Sequence, residues 1–257
     1  ARVVYLGETH TLKRHHQFQL QVIKTLHERS LALAIGLEML PFTCQGYLDA
    51  WVRGELQKNE FLRLAEWEKN WGFNFGLYEP IFDFARDKKI TMLALNAPRG
   101  VVKKVAREGL AGLHDEDKAL LPAVIPSSEE HRRYLSLSLS RHKTLRGKSA
   151  QYAYEAQEVW DSTMAHHVAE YLKSEDGIDT TVVVLAGSGH LVYGYGIPER
   201  VAHAVDLPYR VVFSTSSGDV QFQKEWEQFI EPVTITQEDV RFLQRPIADF
   251  IFLVPLR

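Results

Sequence analysis

Val3-Val4-Tyr5-Leu6-Gly7-Glu8-Thr9-His10 and Thr181-Val182-Val183-Val184-Leu185-Ala186-Gly187-Ser188-Gly189-His190 follow one pattern. Each is an apolar, β-branched run of strand length that breaks at glycine and reaches histidine three residues later. Runs of this kind without polar alternation read as strands buried on both faces of a parallel sheet. In such a sheet, turns at the carboxyl ends of neighbouring strands open into one crevice, where ligands collect. The expectation is that Glu8, His10 and His190 share one pocket despite their distance in sequence.

Strand and helix patterns alternate outward from these two stretches, which predicts an α/β fold with a mostly parallel central sheet flanked by helices. The interval His15 to Arg29 has helical spacing, and Leu31 to Leu37 reads as a buried strand stopping at Glu38 and Pro41. Helices are expected near Thr43–Arg53, Glu60–Lys69 and from Pro80 to Lys88, then a strand from Ile90 to Leu95 ending in Asn96-Ala97-Pro98-Arg99. Between about 100 and 174 helical patterns prevail, which suggests a helical insertion capping the carboxyl edge of the strands. Pro198–Ala204 reads as a short helix, and Tyr209–Phe213 and Ala248–Val254 as later strands, while 214–245 has no clear pattern. All 257 residues are taken as a single domain carrying this insertion.

Composition narrows the function classes. With 45% hydrophobic and 25% charged residues the chain can bury a sizeable core. A formal net charge of −3 offers no general attraction to phosphate backbones, so nucleic acid is not an expected partner. Cys44 is the single cysteine, which leaves no internal disulfide and no cysteine-based zinc site. No apolar run approaches the roughly 20 residues that span a bilayer. The first residue is Ala1 rather than Met, so removal of an upstream leader is an expectation.

Four strand ends carry polar residues directly after apolar runs: Glu8 with His10, Glu38, Asn96 with Arg99, and His190. A carboxylate between imidazoles orients a tautomer, raises basicity, or helps hold a metal. His10, His190 and Glu38 are therefore read as ligands for a divalent transition metal such as zinc, iron or manganese. Arg99 is expected to pair with Glu8 or Glu38, or to clamp an anionic group. The plainer alternative is an ion-pair network that ties the strand ends together. Gly187-Ser188-Gly189 continues to Val192 rather than glycine, so it is no dinucleotide loop. Trp67, Trp71, Phe73, Phe75 and Tyr78 read as core or as one wall of a flat apolar cavity. The pairs His15-His16 and His166-His167 read as surface or satisfied residues.

Several blocks together resemble the ChaN-type haem-binding uptake proteins of the Tiki superfamily. They are Leu6–His10, Gly36–Met39, Glu66–Gly72, Ala94–Arg99, Gln157–Ala165, Leu185–His190 and Tyr193–Arg200, in that order. The resemblance implies haem binding in bacterial iron uptake, a homodimer holding haem through tyrosine, and periplasmic or outer-membrane-anchored placement as a lipoprotein. Related branches imply a hydrolase instead, with Glu8, His10, Glu38 and His190 as the reactive set; in that reading Arg99 would hold an anionic group or stabilise developing negative charge. One departure is that Ser140–Lys148 is basic with a single histidine, where many relatives carry a Gly/His-rich loop. Tyrosine ligation of ferric iron needs a phenolate near a cation. Tyr152 and Tyr154, after Arg141, and Tyr193 and Tyr195, beside His190, meet that need locally.

Overall fold

Six parallel strands in the order β3-β2-β4-β1-β5-β6 form the centre of the computed structural model, which describes residues 1–29, 31–139, 146–216 and 238–254. The first half of the chain runs β1 (Val3–Glu8), α1 (Lys13–Glu28), β2 (Leu33–Pro41), α2 (Gln45–Arg53), α3 (Lys58–Leu64), α4 (Trp67–Asn70), α5 (Glu79–Lys88) and β3 (Thr91–Asn96). There follow α6 (Arg99–Glu108), α7 (Asp115–Ala119), α8 (Glu129–Leu139), α9 (Lys148–Lys173), β4 (Thr181–Gly187), α10 (Ile197–Ala204), β5 (Tyr209–Ser216) and β6 (Phe250–Val254). The mostly parallel α/β sheet read from the sequence is the one observed.

Alternation along each strand divides the core between two faces. Leu6, Ile35, Leu37, Met92, Val183 and Leu185 pack with Ile23 of α1 and with Leu48, Trp51, Phe61, Trp67, Phe75, Tyr78 and Phe82. On the opposite face Tyr5, Ala34, Leu95, Val182, Val184 and Ala186 meet Met164, Ala165, Val168 and Leu172 of α9 and Ile197 and Val201 of α10. The long helix α9 is thus a face helix as well as part of the insertion. One of its turns, Gln157–Asp161, lies beside His190 at the carboxyl edge.

Two departures from the sequence reading position the site. Strand β2 continues past Glu38 to Pro41, and its pairing with β3 is irregular between Leu37 and Pro41, so Glu38 is carried on a bulged strand rather than in a loop. Strands β1 and β4 are direct neighbours, with Glu8 opposite Gly187. The chain leaves β1 towards one face, through α1, and leaves β4 towards the other, through α10. That divergence opens a crevice between the two Gly-x-x-His turns.

Candidate functional site

Glu8 ends β1 buried beneath four donors. Its Oε1 accepts from His10 Nδ1 at 2.9 Å and from the Tyr78 hydroxyl at 2.8 Å. Its Oε2 accepts from Gln19 Nε2 at 2.8 Å and lies 3.3 Å from His16 Nδ1. Burial alone would push the Glu8 carboxyl up, but hydrogen bonds and charge from His10 and His16 bring it down to about 2. Glu8 is therefore a fixed negative charge at neutral pH.

His10 is the half-buried member of this otherwise buried group. With Nδ1–H donated to Glu8, its Nε2 makes no hydrogen bond among the described residues. The ring stands edge-on to Trp71, centroids 4.6 Å apart, and 5.0 Å from Phe73. It also lies against Gly187, where a Cβ would fall 2.8 Å from His10 Cε1, so glycine there makes room for the imidazole. Burial lowers the His10 pKa, but Glu8 and the charge of Glu38 outweigh it and the net direction is upward.

His190 has the opposite character. Its Nδ1 is 2.6 Å from Asp161 Oδ1 and its Nε2 3.3 Å from Glu38 Oε1, so both nitrogens face carboxylates. Desolvation opposes the charged ring, yet Glu38 and Asp161 raise its pKa to about 10. The second Glu38 oxygen accepts from the Gly187 N–H at 2.6 Å, and the Gln157 side-chain amide lies 2.8 Å from His190 Nδ1 and 3.3 Å from Asp161 Oδ1. Arg200, also buried, brings Nη1 to 3.8 Å from Asp161 Oδ2.

The convergence read from the sequence is present: Glu8, His10, Glu38 and His190 form one cluster, with His10 against Gly187 and with Glu38 taking both His190 and the Gly187 N–H. Three expectations change. No group of three or more His, Cys, Asp or Glu among the described residues has the arrangement of a metal site. His10, His190 and Glu38 do not form one because both His190 nitrogens are occupied by carboxylates and Glu38 Oε2 is occupied by a backbone N–H. Both His190 nitrogens are turned to carboxylates, so neither is open to a substrate proton in this arrangement. Arg99 pairs with neither Glu8 nor Glu38. It is exposed, donates to the Lys69 carbonyl, and lines a cleft of about 150 Å³ with Glu38, Asn96, Trp71 and Trp160.

The tyrosines lie elsewhere. Tyr154 donates to Glu158 at 2.5 Å and Tyr195 to Glu130 at 3.0 Å. Burial and these acceptors push both phenols up, away from the phenolate form. Tyr152 packs against Gly109, and Tyr193 lines a separate cavity of about 570 Å³ beside the start of β5. Arg141 falls outside the described residues. The aromatic stretch divides: Trp67, Phe75 and Tyr78 are core, while Trp71 and Phe73 wall His10.

Gly196 holds the cluster from the far side. Its φ is +66°, and a Cβ there would sit 2.2 Å from the His190 carbonyl oxygen and 3.2 Å from Asp161 Oδ2. Glycine at this position thus admits the His190 backbone. Gly196→Ala is expected to destabilise the fold by about 3 kcal/mol through strain and displacement of His190. Chemical denaturation against wild type checks this.

These features define an α/β protein with an acid–imidazole cluster at the carboxyl ends of its central strands. The chain belongs to the haem-binding uptake family ChaN of the Tiki superfamily, whose model matches residues 1–201. It is similar in structure to the haem-binding ChaN of Campylobacter jejuni, described as binding haem cofacially, with 22% identity, TM-score 0.64, and 86% of this chain and 84% of that one covered. A mutant of the erythromycin esterase EreC in its open conformation aligns at 17% identity and TM-score 0.51, covering 85% of this chain and 71% of that one. The chain is also 24% identical to RETICULATA-RELATED 5, a chloroplastic protein of Arabidopsis thaliana, over 98% of its own length. It spans about a third (34%) of that relative. In its donor chemistry the cluster fits haem at one atom, the unpaired Nε2 of a carboxylate-backed imidazole flanked by two aromatic rings.

Proposed function

We propose that this chain binds haem for transport or storage, with His10 Nε2 as the donor that would hold the iron. The observation that carries this reading is His10 itself: Nε2 unpaired, Nδ1–H on the buried Glu8, and the ring walled by Trp71 and Phe73. When bound, haem supplies a redox-active iron and a flat apolar disc. Trp71 and Phe73 offer it aromatic surface, and Arg99 offers a cation for a propionate. The neighbouring cleft of about 150 Å³, lined by Trp71 and Arg99 but not by His10, is below the ~300 Å³ at which ligand pockets begin, so a second copy of the chain is proposed to complete an enclosure over the His10 rim. Periplasmic or outer-membrane-anchored placement is the expectation that the family resemblance carries. The chloroplastic Arabidopsis relative favours a plastid instead, and fractionation of the tagged protein distinguishes the two.

Titrating ferric haem into the purified protein is expected to give a saturable Soret shift that His10→Ala abolishes. If Tyr193→Phe abolishes the shift and His10→Ala leaves it intact, the site moves to the cavity beside β5. Protons compete with iron for Nε2, and the His10 pKa is raised above its ordinary 6.5. Affinity should therefore rise with pH through that raised value, approaching tenfold per unit on its acid side. Soret titrations at pH 6, 7 and 8 measure the slope.

A hydrolytic reading has one observation in its favour, the Glu8–His10 pair, whose Nε2 accepts no hydrogen bond among the described residues. His10 would take a proton from water as its oxygen attacks an ester carbonyl carbon, then return it to the departing alkoxide as the acyl C–O bond breaks. An ester panel with His10→Ala as control tests this, and absence of turnover removes it.

A further inference from the structure

The turn that presents His10, between β1 and α1, is held through its backbone by four contacts. Ser188 Oγ donates to the Glu8 carbonyl at 3.2 Å, and the Leu12 N–H to the Thr9 carbonyl at 2.9 Å. The other two contacts come from adjacent residues of α1. His15 Nδ1 accepts from the Thr9 N–H at 3.0 Å, and His16 Nε2 lies 3.0 Å from the His10 carbonyl oxygen. Both histidines are buried, so the pair that the sequence pattern leaves without a role is packed onto the turn itself.

The two rings have different proton inventories. His15 Nδ1 accepts, so that ring is neutral with its proton on Nε2. His16 meets only oxygens at its two nitrogens. Its Nε2 faces the His10 carbonyl, and its Nδ1 stands 3.1 Å from Gln19 Oε1 and 3.3 Å from Glu8 Oε2. The Gln19 amide cannot be turned round. Its Nε2 donates to the Leu6 carbonyl at 3.2 Å and to Glu8 Oε2 at 2.8 Å, two groups that only accept. Both His16 nitrogens therefore carry protons. The resulting imidazolium is buried but paired with the Glu8 carboxylate, and Tyr78 lies over its ring with centroids 4.3 Å apart.

We propose that His16 is the positioning residue of the strand-end site, tying the His10 backbone with one nitrogen and the Glu8 carboxylate with the other. Glu8 in turn accepts from His10 Nδ1, so the three residues close a triangle. His10 is fixed by it at both ends, backbone and ring, and its Nε2 is left in one place. Reacting groups need support of this kind, because a site works only when its donors are held to within about 0.5 Å. The role rests on the reading of His10 as the group that meets the ligand, iron in the haem reading and water in the hydrolytic one. The triangle itself is measurable with no ligand present.

Side-chain ¹H–¹⁵N spectra of the ligand-free protein at pH 7 are expected to show His16 protonated on both nitrogens and His15 on Nε2 alone. The His10 Nδ1–H should exchange slowly with water. His16→Gln keeps one donor and His16→Phe keeps only the ring, so exchange of that proton should quicken roughly tenfold or more in the first and further in the second. Ferric haem should bind both variants roughly tenfold or more weakly, with a displaced Soret maximum, as loss of a group that orients a metal ligand does. Leu48→Ala, a core change on α2, controls for lost stability and should leave His10 proton exchange and the Soret maximum as in wild type. If His16→Phe fails to fold, His16→Gln supplies the comparison. A wild-type chain that takes up no haem removes the haem reading, and the ligand-free spectra still decide the role of His16. The proposal is overturned if His16 holds a single proton at pH 7, or if folded His16→Gln matches wild type in His10 proton exchange. It is equally overturned if wild type binds haem and folded His16→Gln binds it as tightly.

Discussion

His190→Gln is expected to lower the melting temperature at pH 7 by roughly 10 °C, which corresponds to about 3–5 kcal/mol for removing one partner from a buried ionic group. The substitution leaves Glu38 and Asp161 facing each other across an uncharged amide, although the imidazole had separated and neutralised them. The sign of the pH dependence follows from the raised pKa of His190, about 10 against an ordinary 6.5. Its contribution is complete below pH 6.5 and disappears as pH rises through about 10. Wild-type Tm should fall over that interval, and the variant should lack this part of the slope. Adding Asp161→Asn to His190→Gln should recover part of the loss, because the pair is coupled and the orphaned charge is then removed. Differential scanning calorimetry of the three proteins between pH 6 and 10 measures both effects.

Glu8→Gln has the second large expectation, about 3–5 kcal/mol with a simultaneous loss of haem affinity. Both Glu8 oxygens accept: Oε1 from His10 and Tyr78, and Oε2 from Gln19, with His16 alongside. A glutamine must turn an NH₂ towards one of these donor pairs, which leaves buried donors facing each other. The Glu8 pKa of about 2 gives the acid side. Its stabilisation is present above about pH 4.5 and is lost as pH falls towards 2, so the variant should differ least from wild type in acid. Removing the negative charge also lowers the His10 pKa and frees its ring. The Soret titration of Glu8→Gln should therefore show weaker binding with a flatter pH slope, a readout that a purely structural role for Glu8 would not move.

The framework of the site was legible because strands buried on both faces announce themselves as unbroken apolar runs, and their ends are then the first places polar residues appear. Glu8, His10, Glu38 and His190 were found on that ground. What stayed hidden is borne on helices or inside the core. Asp161 and Gln157 stand four apart on α9, a spacing that ordinarily marks a solvated helix face. The following Ser162-Thr163-Met164-Ala165 is small or apolar and buried, which is the available hint that this face turns inward. His16 and Gln19 have the i, i+3 spacing of side chains that meet on a helix, yet adjacent histidines suggested divergent, unremarkable positions. Tyr78 is a core aromatic and a donor to Glu8 at once, and composition shows only the first role. The tyrosines proposed for iron illustrate the reverse. A phenol is visible in sequence, but the carboxylate that keeps it protonated, Glu158 for Tyr154 or Glu130 for Tyr195, is a matter of tertiary contact.

Long-range ¹H–¹⁵N correlation spectra of the histidine side chains, recorded from pH 6 to 11, test most directly whether the two strand-end imidazoles have been given opposite roles. His190 should hold protons on both nitrogens at pH 8 and titrate near 10, while His10, once neutral, should hold its proton on Nδ1 alone. A His190 that titrates near the ordinary 6.5, or a neutral His10 protonated on Nε2, would contradict the account.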